Sequence, residues 1–404
     1  TIYYIHFMHS NTLINKVSDN IRILSASMVE SAKSGHPGGA MGGADFINVL
    51  FSEFLEYDPE DPTWASRDRF FLDPGHMSPM LYSVLCLSGK FSLDDLQSFR
   101  QWGSPTPGHP EKDLSRGIEN TSGPLGQGHA FAAGAAIAAK FLKSRLGEVM
   151  DHTIYSFISD GGIQEEISQG VGRIAGHLGL DNLILFYDSN EIQLSTTTDA
   201  VTSEDVAQKY EAWNWRVITI DGNNADDIRN ALKAAKSEKE KPTLIIGKTI
   251  MGLGALTSDS SSFERQVSTH GQPLSAAGAD FKATVNNLGG DPENPFVIFP
   301  ESKTLYDNRR EDLKVIVASK RAKEAEWAKS NPELAEKKRR WFSRELPDID
   351  WSGIEQTPNS ATRAASATVL SELAQVVDNM IVSSADLSNS DKTDGFLKNS
   401  KPLF

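Results

Sequence analysis

Two side chains of this sequence are well suited to hold a hard cation: Asp160 and Asn190, thirty residues apart. A carboxylate, an amide oxygen and a nearby main-chain carbonyl, such as that of Ile192, are oxygen donors that suit Mg2+ or Ca2+. Such a shell is usually completed by water and by a phosphate of a bound ligand. Gly161 and Gly162 follow the aspartate directly, and without a Cβ they let the backbone come close to a diphosphate. Four histidines, His36, His76, His109 and His270, lie in stretches dense in Gly, Pro, Ser and Thr. Imidazole is the side chain whose ordinary pKa lets it take up or release a proton near neutrality. Four loop histidines out of nine exceed what packing alone calls for, whereas His152 and His177 fall inside regular elements and read as structural.

The elements that must position these groups follow from periodicity. The run HTIYSFIS before Asp160 is short, apolar and rich in β-branched and aromatic residues, which predicts a buried strand. Ile167, Val171, Ile174 and Leu178 then recur at helical spacing, with Gly179 as a stop. Leu183 to Tyr187 forms a second apolar strand. Strand, helix and strand of this length make a βαβ unit, so the two strands are parallel with a right-handed crossover. Asp160 and Asn190 then sit just past neighbouring carboxyl ends, where open α/β sheets bind their ligands.

Other stretches fit the same architecture. Ile14, Val17, Ile21, Leu24 and Met28 mark one face of a first helix, Asn11 to about Lys33, stopped by Gly35, and a second helix is predicted up to Leu55. Arg67–Leu72 reads as a strand and Ser78–Leu87 as a helix, with His76 in the turn between them. A glycine-rich turn, Ser122–Gly128, opens a helix from His129 to Leu146 and offers free N–H groups. Trp215–Ile220 and Thr243–Gly247 are further strands, with a helix Ala225–Lys236 between them, and Gly252–Gln272 is a long loop. Five strands with intervening helices predict an α/β fold with a doubly wound, mostly parallel sheet and helices on both faces. Leu305–Phe342 reads as a solvated helical connector and Glu345–Ser360 as a linker. Ala361–Val377 restarts as a helix, and Met380-Ile381-Val382 reads as a strand.

Composition narrows the classes further. The 404 residues carry a formal net charge of −14, which disfavours nucleic acid or an anionic membrane as a partner of the whole surface. A single cysteine, Cys86, excludes an intrachain disulfide and a cysteine-rich zinc site. It fits a reducing, cytoplasmic setting and lies in an apolar helical run as a core residue. No stretch has the length and apolarity of a membrane helix. The opening TIYYIHFM lacks the basic front of a secretory signal, and Met8 reads as the start, with the earlier residues a leader.

Taken together the loops resemble those of the transketolase family. The matching pieces are SGHPGGAMG around His36, RDRFFLDPGH ending at His76, TPGHPE around His109, SGPLGQG at Ser122–Gly128, the Asp160…Asn190 unit, and THGQPL around His270. They occur in the family's order. The Asp160 motif resembles the thiamine diphosphate fingerprint, usually Gly-Asp-Gly with an Asn about thirty residues later, except that Ser159 replaces the first glycine. The resemblance implies that Asp160, Asn190 and the carbonyl of Ile192 bind the metal, Mg2+ or Ca2+, that anchors thiamine diphosphate. It places Gly161, His76 and His270 near the diphosphate, and Gly123, Pro124 and Leu125 against the aminopyrimidine. It puts His36, His109 and His270 along the substrate channel as catalytic and substrate-binding groups. Glu165 matches an acidic position near a dimer interface and is counted with Asn190 among the cofactor-binding residues, Arg363 and Ser390 match sugar-phosphate contacts, and Asp386 matches a cofactor contact.

The expected domains are a diphosphate-binding domain over 11–310, a linker over 311–358, and the start of a pyrimidine-binding domain over 359–404. The implied activity is transfer of a two-carbon ketol unit between sugar phosphates by a homodimer. Another thiamine enzyme, such as deoxyxylulose-phosphate synthase, and a non-catalytic cofactor-binding protein are the alternatives. In the family, the glutamate that protonates the pyrimidine lies beyond the part resembled here. The 404 residues are therefore expected to be a fragment without turnover of its own.

Overall fold

Six residues, Ile154–Ser159, make strand β2 and seven, Leu183–Ser189, make β3; every one of them is buried. Strands covered on both faces are the mark of a parallel sheet packed between helices. The computed structural model, which describes residues 9–404, adds β1 (Arg69–Leu72), β4 (Arg216–Asp221) and β5 (Thr243–Lys248). All five are parallel in the order β1-β2-β3-β5-β4. Phe157 of β2 is in register with Leu72 on one side and Phe186 on the other. The opening TIYYIHFM, including Met8, lies outside the described residues.

Alternation along the strands feeds two cores. Tyr155, Phe157, Ile184, Phe186 and Ile245 point to one face, where Ile14, Val17, Ile21 and Leu24 of helix Asn11–Ala32 pack. Ile154, Ile158, Leu183, Leu185, Leu244 and Ile246 point to the other, against Ala132 and Ala136 of helix Gln127–Leu146 and Ala175 of helix Glu166–His177. The sheet is thus doubly wound, as the periodicity predicts. Cys86 is buried in the first core.

Four details differ from the sequence reading. The first helix ends at Ala32, with Lys33 rather than Gly35 taking the left-handed cap at φ 52°. Ile167 and Ile174 of helix Glu166–His177 are 46% and 53% exposed. Its buried side is Ser168, Gly172, Ala175 and Gly176, because the Trp213 ring lies only 2.9 Å from where a Cβ on Gly172 would be. Small residues let this helix approach closely, so Val171 and Leu178 only flank the contact with the second core while Ile167 and Ile174 face outward. The supposed solvated connector is a helix, Pro300–Ser330, whose first half buries Leu305, Tyr306, Arg309, Leu313, Ile316 and Val317. Met380, Ile381 and Val382 form no strand, and among the described residues none follows β5. A lone extended segment with no neighbouring strand has no ladder to join.

Two compact units divide the described chain. The first runs through Lys140 and resumes over Met150–Arg321; the second comprises Phe141–Val149 and Ala322–Phe404. The sheet belongs to the first. In the second, helix Thr362–Val376 packs on Asp394–Asn399, which buries Phe396. Among the described residues no helix is long and apolar enough to cross a membrane.

Candidate functional site

The carboxyl ends of the central strands bring buried polar groups to one edge of the sheet. Asp160 follows β2 and is 2% exposed. Its Oδ1 accepts a hydrogen bond from the Tyr187 hydroxyl at 2.5 Å and its Oδ2 one from the Glu191 N–H at 2.9 Å. Asp160 and the backbone after Asn190 are therefore in direct contact, as the βαβ unit requires. Ser159, where the fingerprint has glycine, caps the short helix Asp160–Gln164 by accepting from the Gly162 N–H at 3.4 Å. Asn190 donates from Nδ2 to Asp188 at 3.0 Å, and its Oδ1 accepts from the Ile192 N–H at 3.0 Å. Asp188 in turn accepts from the Thr249 hydroxyl, so the two faces of the Asn190 amide are told apart.

Burial pushes the Asp160 carboxyl up to about 6, against the hydrogen bonds from Tyr187 and the backbone that favour its charge. Burial likewise raises Asp188 to about 7, opposed by Thr249 and reinforced by the neighbouring Asp160 charge. No ion pair among the described residues neutralises either one. The Asp160 carboxylate short of countercharge, the oriented Asn190 amide and the Ile192 carbonyl are hard oxygen donors of the kind that suit a divalent cation. Among the described residues there is no cluster of three or more His, Cys, Asp or Glu arranged for a metal. A site of one carboxylate, one amide and one carbonyl is not of that kind and depends on its ligand to complete it.

Three of the four loop histidines meet. The rings of His36 and His76 are 4.9 Å apart, His76 and His270 5.2 Å, and His36 and His270 5.7 Å. His36 Nδ1 bonds the His270 carbonyl at 2.9 Å. The loop carrying His36 is docked by Gly38, whose missing Cβ would stand 2.7 Å from Thr269 Oγ1. His109 reaches the same neighbourhood: its Cδ2 would be 2.9 Å from a Cβ on Gly75, beside His76. Burial lowers the pKa of His36 and His109, takes that of His76 well below 6.5, and brings His270 to about 4. Repulsion from neighbouring imidazoles adds to this for His36, His76 and His270, and repulsion from Arg100 for His36, His76 and His109. All four are neutral at pH 7, and the buried Nδ1 of His270 has no hydrogen-bond partner among the described residues.

The turn Gly123-Pro124-Leu125 abuts the aspartate turn, with Leu125 Cδ1 3.0 Å from a Cβ built on Gly161. Open space surrounds Gly123. Glu165 is exposed at the junction between helices Asp160–Gln164 and Glu166–His177. Arg363, Ser390 and Asp386 belong to the second unit and are exposed there. Arg363 Nη1 lies 3.3 Å from the Ser390 carbonyl and 3.5 Å from its hydroxyl, so those two are brought together.

Four neighbours escaped the sequence reading. Tyr187 and Asp188 looked like the end of an ordinary strand. Asp73 looked like a turn residue, although a carboxylate just past β1 is a signal of the same kind as Asp160. Arg100, at φ 61° with Nη1 bonded to Ser34 Oγ at 2.8 Å, carried no signal at all.

Such a sheet, with buried acidic groups and imidazoles gathered at its strand ends, is an α/β domain of the kind that binds its ligand at the carboxyl edge of the strands. Residues 13–347 match the family model described as transketolase, thiamine diphosphate binding domain. The chain is 39% identical over 396 residues to transketolase-1, chloroplastic, of Arabidopsis thaliana, covering 95% of this chain and 52% of the relative. It is 40% identical over 400 residues to the transketolase of Bacillus subtilis, covering 95% and 58%. Among solved structures, transketolase from Leishmania mexicana superposes with a TM-score of 0.88 at 34% identity, over 96% of this chain and 57% of that one. The Pichia stipitis transketolase complex with sedoheptulose 7-phosphate gives 0.87 at 32% identity, over 95% and 57%. This chain belongs to the transketolase family and carries its thiamine diphosphate binding domain. It spans a little over half the length of these relatives.

Proposed function

We propose that this chain is the cofactor-anchoring part of a transketolase, which moves a two-carbon ketol unit from a ketose phosphate to an aldose phosphate in the pentose phosphate pathway. The reading rests on one observation above all: Asp160 and the Asn190 loop meet at adjacent strand ends, on the sheet edge where His76 follows β1 and packs with His36 and His270. Asp160, Asn190 and the Ile192 carbonyl would hold Mg2+ or Ca2+, with His76, His270 and Gly161 near the diphosphate and Gly123–Leu125 against the aminopyrimidine. Thiamine diphosphate, when bound, supplies the carbanion for the transfer, and the protein anchors, orients and tunes it.

The chain's own residues have three tasks in this reading. Tyr187 and the Glu191 N–H fix both oxygens of Asp160, and Asp188 fixes the Asn190 amide, so the oxygen donors are aimed before a cation arrives. The histidines are held neutral, so they exchange hydrogen bonds with sugar hydroxyls without adding positive charge, and the unpartnered His270 Nδ1 has capacity for one more. Arg363 and Ser390 would grip the sugar phosphate, and Asp386 the cofactor. Residues 311–358 then serve as linker and 359–404 as the opening of a pyrimidine-binding domain.

Assembly follows from the exposed face noted above. Phe131, Ile167 and Ile174, all 46–53% exposed, stand on adjoining helices, with open space over Gly134 and Gly170. An apolar face of this kind fits a second copy of the chain, with Glu165 at its margin. The complete gene product, given thiamine diphosphate and Mg2+, is expected to convert xylulose 5-phosphate and ribose 5-phosphate into sedoheptulose 7-phosphate. Reaction with pyruvate as the two-carbon donor instead would overturn the assignment in favour of a deoxyxylulose-phosphate synthase.

A further inference from the structure

Asp73 follows β1 and is completely buried. Its Oδ2 accepts from the Gly126 N–H at 3.1 Å and its Oδ1 from the His129 N–H at 3.3 Å, and the Gly128 N–H also points to it. One residue earlier, the Leu72 carbonyl accepts from Ser122 Oγ at 2.7 Å and from Asn120 Nδ2 at 3.2 Å. The end of β1 therefore grips the Ser122–Gly128 turn at both of its feet, and Gly123-Pro124-Leu125 is the arch between them. No cationic side chain among the described residues pairs with Asp73; the charge is held by backbone N–H groups and the start of helix Gln127–Leu146 alone.

We infer that Asp73 is a positioning residue whose carboxylate sets the Gly123–Leu125 arch for the ring of the cofactor, separately from the groups that hold its diphosphate. The inference rests on the proposed role of that arch. Two features argue that the carboxylate itself is required. A side-chain amide would turn an NH2 toward an N–H donor on one side, so only a group with two acceptor oxygens serves both feet of the helix start. Gly162 leaves no room on the other side, since a Cβ there would meet Asp73 Oδ2; the carboxylate is wedged between the arch and the aspartate turn. Burial also raises its pKa to about 6, with the three N–H groups working against that rise and Glu165 adding to it. A charge kept in so unfavourable a place is explained by the N–H groups it organises.

The test is calorimetry on the full chain with two probes, thiamine diphosphate and inorganic pyrophosphate, each with Mg2+. For Asp73→Asn the Kd of thiamine diphosphate should rise roughly tenfold, the size of a lost helix-capping acceptor, while the Kd of pyrophosphate stays within about twofold. Asp73→Ser, which keeps one acceptor, covers the case in which the amide does not fold and should show the same split. Unchanged thiamine diphosphate binding in both variants, or equal weakening of both probes, would overturn the inference. Failure of the unaltered protein to bind thiamine diphosphate at all would instead overturn the parent reading.

Discussion

Replacing Asp160 by Asn should make the metal-free protein more stable while removing the carboxylate of the proposed cation site. The carboxyl is raised from 3.8 to about 6, roughly two pKa units, which corresponds to about 3 kcal/mol. A raised carboxylate contributes its full stability below pH 3.8 and loses it as pH rises through about 6, so at pH 7 the buried charge works against folding. Asparagine removes the charge and keeps the contacts: Oδ1 can accept from the Glu191 N–H while Nδ2 donates to the Tyr187 oxygen. At about 2 °C per kcal/mol for a unit of this size, the apo variant should melt up to about 6 °C above the unaltered chain at pH 7, the gain shrinking toward pH 4. Scanning calorimetry with EDTA, and then with Mg2+ and thiamine diphosphate, separates the two effects. The unaltered chain should gain in Tm from the ligands and the variant should not. A variant that melts lower than the parent in EDTA at pH 7, or that is stabilised equally by the ligands, would refute the reasoning.

Other expectations rest on different parts of the molecule. His270, brought to about 4, should show no titration of its imidazole between pH 8 and 5.5 by NMR; its stability contribution is present above 6.5 and declines as pH falls toward 4, and a titration near 6.5 would contradict the packed, neutral cluster. Arg229 is 1% exposed and bidentate to Glu53 at 2.7 and 2.8 Å, and Asp226, Asn11 and the His9 carbonyl hold the rest of its guanidinium, so Glu53→Leu should cost about 1.5–3 kcal/mol for the lost charged hydrogen bonds, read from urea unfolding. Ile174→Asp should weaken self-association by at least about tenfold in sedimentation without lowering Tm, because Ile174 is not part of the core; a variant that still dimerises like the parent would rule out that face.

The strands and most helices could be read from sequence because their periodicity reports burial on both faces of a sheet. Asp160 and Asn190 were legible for the same reason: parallel strands leave their carboxyl ends side by side, so two polar residues past those ends must be neighbours. The histidine cluster was readable only as loop chemistry; that His36, His76 and His270 touch depends on Gly38 letting the first loop seat against Thr269, a long-range fit with no local signal. Helix Glu166–His177 differs in part from its period: Val171 and Leu178 pack on the second core, but Ile167 and Ile174 face outward because the closest packing side is built of Ser, Gly and Ala. Met380–Val382 misled because β-propensity without a partner strand makes no sheet. Asp73 was hidden by its own turn, since Asp-Pro-Gly is ordinary turn chemistry and nothing local says that the carboxylate caps a helix some fifty residues on.

The central claim is that Asp160 and the Asn190 loop jointly hold a cation against a phosphorylated cofactor. The most direct measurement is titration calorimetry of thiamine diphosphate into this chain with Mg2+, with EDTA, and with Mg2+ in the Asp160→Ala variant. Binding in the first case and none in the other two is the predicted result; binding of equal strength in all three would contradict it.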